Sequence, residues 1–290
     1  MMFVNAFVQG ILLGGLFAMA ALGLSIAFGV LRVVNLAHGE IMTLGAYLAF
    51  VTMSSLGINV WVSLLIVVPV MGLVGYAVQR YMLQRALRMS ELAPLLVTFG
   101  LAIMIPNTLI ELFTNDKKPI PTGDIAVQSI QLPGGISIGV LPLITMIISL
   151  LLIVGMQMFL AHTRMGRYMR AAADDSDTLR LMGVDYRKVY AFAMAIAFAI
   201  AALAGVFFGM RQGGVTPFDG QLMVLFAFEA VIIGGLGSLW GTLAGGIVLG
   251  VAQTIAGQIS PELPLLVGNL VFLGILVFLP TGIVKSKVAI

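Results

Sequence analysis

Residues 1–31, MMFVNAFVQGILLGGLFAMAALGLSIAFGVL, contain no charged side chain and run into Arg32. About 20 apolar residues are enough for one helix to cross a bilayer. The stretch is longer than the apolar core of a signal peptide, has no basic leader and continues into more apolar sequence. It therefore reads as a retained first span near Ala6–Leu31. The remainder of the 290 residues repeats this character: 60% are hydrophobic and 9% charged, against about 25% charged in an average soluble domain. So few charges cannot cover the surface of a soluble protein with this much apolar material. Soluble enzymes, nucleic-acid binders and disordered hubs are excluded, and the class is a polytopic membrane protein.

Further charge-poor windows place the other spans. Glu40 to Arg80 is divided by the turn signal Gly57-Ile58-Asn59 into segments near Ile41–Leu56 and Val60–Gln79. Others fall near Leu92–Phe113, Gly139–Ala161, Val189–Met210 and Pro264–Leu279. Between Gln221 and Ile259 the glycines Gly234, Gly235, Gly237 and Gly241 interrupt the apolar run, which predicts two short helices, Leu222–Ile233 and Thr242–Gln258. The expected fold is an all-α membrane protein, a polytopic bundle of 8–9 transmembrane helices with broken helices and a cytoplasmic coupling helix. It is read as a single domain over residues 1–290. Within it lie a cytoplasmic loop 161–188, an outer loop 114–138 and a re-entrant or two-helix segment 221–259.

Lys and Arg in short loops set orientation. Arg32, Arg80, Arg85, Arg88, six residues within Arg164–Lys188, and Lys285 and Lys287 put 12 of the 15 basic residues on one side. That side is expected to be cytoplasmic, with the C-terminus inside. The N-terminus falls outside only if Leu222–Gln258 goes in and returns.

Three features invite chemistry. Tyr168 to Met182 is expected to form a cytoplasmic helix stopped by Gly183. Arg170 and Asp174, and Arg167 and Ala171, are each four apart on it, so one face offers small residues beside a charged edge. It reads either as a solvated loop that fixes topology or as a docking helix for a soluble partner. The second feature is Asn35-Leu36-Ala37-His38-Gly39-Glu40. This is either a polar cap on the second span or a broken helix lining a route. The third is Gly234-Gly235-Leu236-Gly237-Ser238. Gly241/Gly245 and Gly246/Gly250 beyond it have the four-residue spacing of close helix packing in lipid. Glu229 is the one carboxylate deep in an apolar segment, open to a functional or a helix-bonding role. Arg211 and Asp219 flank an outer loop and are placed to pair with each other or to meet an external partner. Leu36 and Gly45 recur as Leu236 and Gly245, an echo too slight to define a repeat.

Catalysis finds no support. The chain lacks HExxH, a G-x-S-x-G elbow and any Gly-Lys step of a nucleotide-binding loop. It has no cysteine, and His38 and His162 are far apart, so no metal site is expected. A transport role fits, but a proton-driven carrier normally shows several buried ionisable groups. A carrier with neither an ion relay nor a nucleotide loop needs energy from elsewhere.

At this point the sequence resembles a known family. Arg32–Tyr47, RVVNLAHGEIMTLGAY, is similar to a segment of the branched-chain amino acid ABC importer permeases of the LivH type. Thr163–Asp175, TRMGRYMRAAADD, followed by Leu181–Asp185, LMGVD, resembles that family's cytoplasmic loop. Gly234–Gly246, GGLGSLWGTLAGG, and Pro280-Thr281-Gly282 match two further motifs, although Thr178-Leu179 departs from the small residues usual there. The resemblance implies a multi-pass permease subunit in a bacterial inner membrane, moving branched-chain or related amino acids. Its implied partners are a second permease subunit, two ATP-binding cassette subunits and a periplasmic substrate-binding protein, with no nucleic acid. ATP and Mg would belong to the partner ATPase, and this chain would hold no cofactor, metal or catalytic residue. Gly166, Arg167, Arg170, Ala171, Ala172, Asp174 and Gly183 would form the ATPase-coupling segment. Asn35, His38, Gly39, Glu40, Gly234, Gly235, Gly237 and Ser238 would lie at broken helices near the pathway, with Glu229 as a further pathway candidate. A secondary carrier for small polar solutes and an importer of amides or urea remain as alternatives.

Overall fold

The computed structural model describes residues 2–90, 92–132 and 136–284. Its chain order is α1 (Met2–Leu31), α2 (His38–Leu56) and α3 (Val60–Ala77). α3 continues through a wider π-helical stretch (Val78–Leu83) into a last turn, α4 (Gln84–Ala86). Then come α5 (Ala93–Phe113), a hairpin of β1 (Ser129–Leu132) and β2 (Ile136–Gly139), α6 (Val140–His162), α7 (Arg164–Asp174) and α8 (Ser176–Leu181). α9 (Tyr186–Gln212), α10 (Asp219–Gly234), α11 (Leu239–Ile259) and α12 (Leu263–Phe278) complete the bundle.

Among the described residues seven helices are long and apolar enough to cross a membrane: α1, α2, α3 with its extension to Ala86, α5, α6, α9 and α11. This corrects the expected eight or nine. α10 and α12 have 16 residues each, about 24 Å of helix, short of a hydrocarbon core of about 30 Å. The loop over residues 114–138 also holds more order than expected. β1 and β2 pair antiparallel with Ser129 opposite Gly139, and the Asn5 side chain accepts from Ser137 N at 3.2 Å. The signal was the alternation Ser-Ile-Gln-Leu and Ile-Ser-Ile on either side of Pro133-Gly134-Gly135. Lys285 and Lys287 lie outside the described residues.

α1 is the axis of the bundle. Of its most apolar stretch 89% is buried, against 17% for α5. Its closest neighbour is α11, and glycine explains the approach. A Cβ on Gly10 or Gly14 would stand 2.6 Å from Val251 Cα or 2.5 Å from Ile247 Cα. One on Gly246 would stand 2.6 Å from the Gly14 carbonyl, and one on Gly250 would overlap the Gly10 carbonyl. Two four-residue glycine pairs therefore interlock backbone to backbone. Gly241 and Gly245 do the same against Gly234 and Ala230 of α10.

The chain contains two three-helix runs of opposite direction. α1 and α9 are antiparallel, with Leu12 and Leu16 beside Phe207 and Arg211, and Gly23 beside Ala197 and Ala201. Each leads into an irregular segment, then a helix (α2, α10), then a helix packed on the long helix of the other run. α3 lies on α9, with Trp61 on Phe207 and Gly75 against Phe198; α11 lies on α1. α2 packs on α9 as α10 packs on α1. This inverted arrangement is a familiar transporter architecture. The true correspondence pairs Gly39 with Gly220, not Leu36/Gly45 with Leu236/Gly245.

Candidate functional site

The centre of the bundle is where the two runs meet. After α1 ends, residues 33–37 turn back, and α2 begins deep inside. His38 Nε2 lies 2.9 Å from the Ala20 carbonyl, eleven residues or about 16 Å of helix before the end of α1. Irregular backbone at this depth needs its donors satisfied by protein. Leu36 N donates to Thr98 Oγ1 of α5 at 3.3 Å, Ala37 N to Asn35 Oδ1 at 3.1 Å, and His38 N to the Asn35 carbonyl at 3.3 Å. Asn35, His38, Gly39 and Glu40 are all buried. Thr98→Val would strand the Leu36 N–H, at a cost of about 1–3 kcal/mol. A lower thermal midpoint that Thr98→Ser restores is the expected result; an unchanged midpoint would remove the assigned role.

The first turn of α10 abuts the first turn of α2. A Cβ on Gly39 would overlap the Gly220 carbonyl, and one on Gly220 would run into the Glu40 carboxylate. Glu40 is 4% exposed, with Oε2 unpartnered among the described residues, and it lies at the electropositive start of α10. Asp219 sits alongside, but it does not pair with Arg211. It accepts from Thr216 N and Thr216 Oγ1, both at 2.8 Å. Further along α2 and α1, the hydroxyls of Thr43, Tyr47 and Ser25 are buried without partners among the described residues. Glu229 is likewise buried on α10 with both oxygens unpartnered.

Gly234, Gly235, Gly237 and Ser238 are elsewhere, at the far end of α10, about 21 Å of helix from Gly220. Gly235 and Gly237 have φ of +104° and +78°, a conformation that favours glycine. Ser238 caps α11 by accepting from Gly241 N at 3.0 Å. The C-terminal segment crosses this turn: Ile283 N and Val284 N donate to the carbonyls of Ile233 and Gly234 at 2.9 and 3.1 Å. The motif that ends in Gly282 thus satisfies the last carbonyls of α10, and a Cβ on Gly282 would overlap Gly235. The structure brings the Pro-Thr-Gly motif to the glycine turn, and the Asn35–Glu40 segment to Gly220 instead.

The basic end carries the third surface. The expected helix over Tyr168–Met182 is in fact two, α7 and α8, broken where Asp175 is extended at φ −154°. Thr163 caps α7 by accepting from Gly166 N at 2.9 Å. Gly183, at φ +78°, ends α8 as expected. α7 sorts its residues by face. Gly166, Met169, Ala172 and Ala173 are buried, and a Cβ on Gly166 would stand 2.6 Å from Leu160 Cα of α6. Arg167 and Asp174 are exposed on the outward side, with Arg170 and Ala171, at helical spacings of three and four, half-buried between them. Among the described residues no group of three His, Cys, Asp or Glu side chains could hold a metal ion.

Residues 6–280 match the family described as branched-chain amino acid transport system / permease component. The chain belongs to this permease family. It is 28% identical over 297 residues to the high-affinity branched-chain amino acid transport system permease protein BraD of Pseudomonas aeruginosa, covering 97% of this chain and 95% of BraD. It is also 28% identical to LivH of Escherichia coli K12, with the same coverage. A probable LivH of Methanocaldococcus jannaschii is 27% identical over 84% of this chain and 78% of its own length. No solved structure matches. The permease is a multi-pass membrane transport subunit.

Sequence reasoning missed two parts of the permease's surfaces. Leu181 and Met182 stand 88% and 71% exposed beside Gly183; their apolar character was visible, but not that the α8 turn would hold them outward. Gly220, the partner of Gly39, was hidden because Asp219-Gly220-Gln221 looks like ordinary loop sequence.

Proposed function

We propose that this permease is one membrane subunit of a binding-protein-dependent ABC importer for branched-chain amino acids. In this reading two ATP-binding cassette subunits, a second permease subunit and a periplasmic binding protein complete the assembly in a bacterial inner membrane. The observation that carries it is family membership over nearly the whole chain together with the outward stripe of α7. The exposed Arg167 and Asp174 and the half-buried Arg170 present charge around Ala171, and the exposed Leu181 and Met182 add apolar area, the mixture that suits docking of a soluble subunit. Gly166 and Ala172 serve the same purpose from behind. Their small size seats α7 directly on the bundle, so that a push on the stripe reaches α6 and α9.

ATP-driven closure of the cassette pair would then rock the two inverted runs about the Gly39–Gly220 contact. The test is co-purification of the ATPase with the permease from membranes. Arg167→Glu with Arg170→Glu should weaken retention at least ~30-fold, about 2 kcal/mol, through like-charge contacts. Lys at both positions should keep it. Undiminished retention by the Glu pair would sink the assignment of this surface. Leucine uptake driven by an ion gradient with no ATPase present would sink the importer reading itself.

A further inference from the structure

α5 is the most exposed of the long helices, and its exposed face is unusual for one that meets lipid. The exposed positions of α3 between Val60 and Ala77 and of α12 are all apolar: Leu65 and Leu73 on one, Leu270 and Leu273 on the other. α5 instead exposes Asn107, Thr108 and Glu111 towards the end opposite the basic loops. Polar and ionisable groups in membrane helices normally face protein or water. Helix bonding accounts for part of this set, since the Asn107 amide donates to the Ile103 carbonyl at 2.7 Å and the Thr108 hydroxyl to Met104 at 2.8 Å. It does not account for Glu111, which has no ion pair among the described residues.

Beside this stripe, α5 stands off α2 and leaves a crevice of about 310 Å³. Its walls are Leu44, Leu48, Ile105 and Leu109, and it is lined at one end by Tyr47 and Phe113, whose rings tilt at 42° with centroids 5.3 Å apart. Thr108 belongs both to the crevice rim and to a shallower depression that holds Asn107 and Glu111. The volume is at the lower bound for small-molecule pockets, and an apolar pocket with a few polar groups at one edge is their usual chemistry.

We propose that this crevice is a solute site on the wall of the transport route, shaped for an amino acid with an aliphatic side chain. The side chain lies between α2 and α5 against Leu48, Ile105 and Leu109. The ammonium group sits over the rim towards the Glu111 carboxylate, and the carboxylate of the amino acid towards the Asn107 amide. A lipid acyl chain would fill the crevice but would place hydrocarbon over Asn107 and Glu111. The site rests on the importer reading, because only a polar route through the assembly puts an amino acid beside α5.

The chain has no cysteine, so a single introduced thiol reports its own surroundings. In membranes that hold the whole assembly with its binding protein, Thr108→Cys and Asn107→Cys should react with a charged, membrane-impermeant maleimide, whereas Leu65→Cys on α3 should not. L-leucine should slow labelling at least ~5-fold, and glycine should leave it unchanged. A crevice-filling Leu48→Phe should raise the KM for leucine uptake at least ~5-fold while alanine uptake is retained. The site is refuted if both α5 thiols are as unreactive as Leu65→Cys, if leucine and glycine act alike, or if Leu48→Phe leaves leucine KM unaltered. Each refutation is read on wild-type membranes that show ATP-dependent leucine uptake; loss of that uptake in the wild type would instead overturn the importer reading.

Discussion

Gly246→Leu is expected to remove the permease from the folded pool. The Gly246 position lies on the seam where α1 and α11 touch through Gly10, Gly14, Gly246 and Gly250, and a single Cβ there already stands 2.6 Å from the Gly14 carbonyl. The obstacle is backbone on both sides, so no rotamer change relieves it, and the most closely packed pair of helices must separate. Overpacking typically costs about 1–3 kcal/mol and more when backbone must move, a large share of a total stability of about 5–15 kcal/mol. The check is the yield of monodisperse protein in detergent and its thermal midpoint, with Gly155→Leu as comparison. Gly155 on α6 has nothing within 4 Å, so the same added side chain should be tolerated there. Equal yields for the two variants would mean that the seam does not hold the fold.

Gly39→Val is expected to abolish transport, with uptake down at least ~100-fold, while more protein survives than for Gly246→Leu. Its side chain would enter the Gly220 carbonyl, driving apart the first turns of α2 and α10 at the junction of the inverted runs. The reciprocal change is predicted to be milder. At Gly220 the obstacle is the far end of the Glu40 side chain, which can swing away, so Gly220→Ala should keep more uptake than Gly39→Ala. Initial rates of radiolabelled leucine uptake by membrane vesicles decide it. If Gly220→Ala is the more damaging of the pair, the junction is held by the carboxylate rather than by backbone contact.

The features legible from sequence were those that a one-dimensional signal can encode. Charge-free stretches marked the long helices, Gly183 and the Gly234–Ser238 run marked the ends of the shorter α8 and α10, and Asn35–Glu40 stood out as polar sequence where apolar was due. Three properties were not legible. Tilt and depth are set by neighbours, so nothing local said that α2 begins beside Ala20 of α1. Pairing between distant segments was also silent: Gly10 and Gly14 have the same spacing as Gly246 and Gly250, but spacing alone does not say which glycines meet. The sidedness of α7 depended on its seat against α6. Candidate coupling residues that form one list in sequence divide, in space, into an outward stripe and an inward one.

The deep start of α2 also bears on how the chain is made. His38 lies between α1 and α9, and Gly45 rests on Ala202, which emerges from the ribosome long after α2 does. Residues 33–37 meanwhile need Thr98 for a backbone donor. The amino-terminal third therefore cannot reach its final position in the membrane as it is synthesised. It has to wait, held at the insertion machinery or lying shallow near the surface, until the second run arrives to enclose it. A ribosome stalled before α9 should carry a nascent chain whose position 38 is still open to water-soluble reagents.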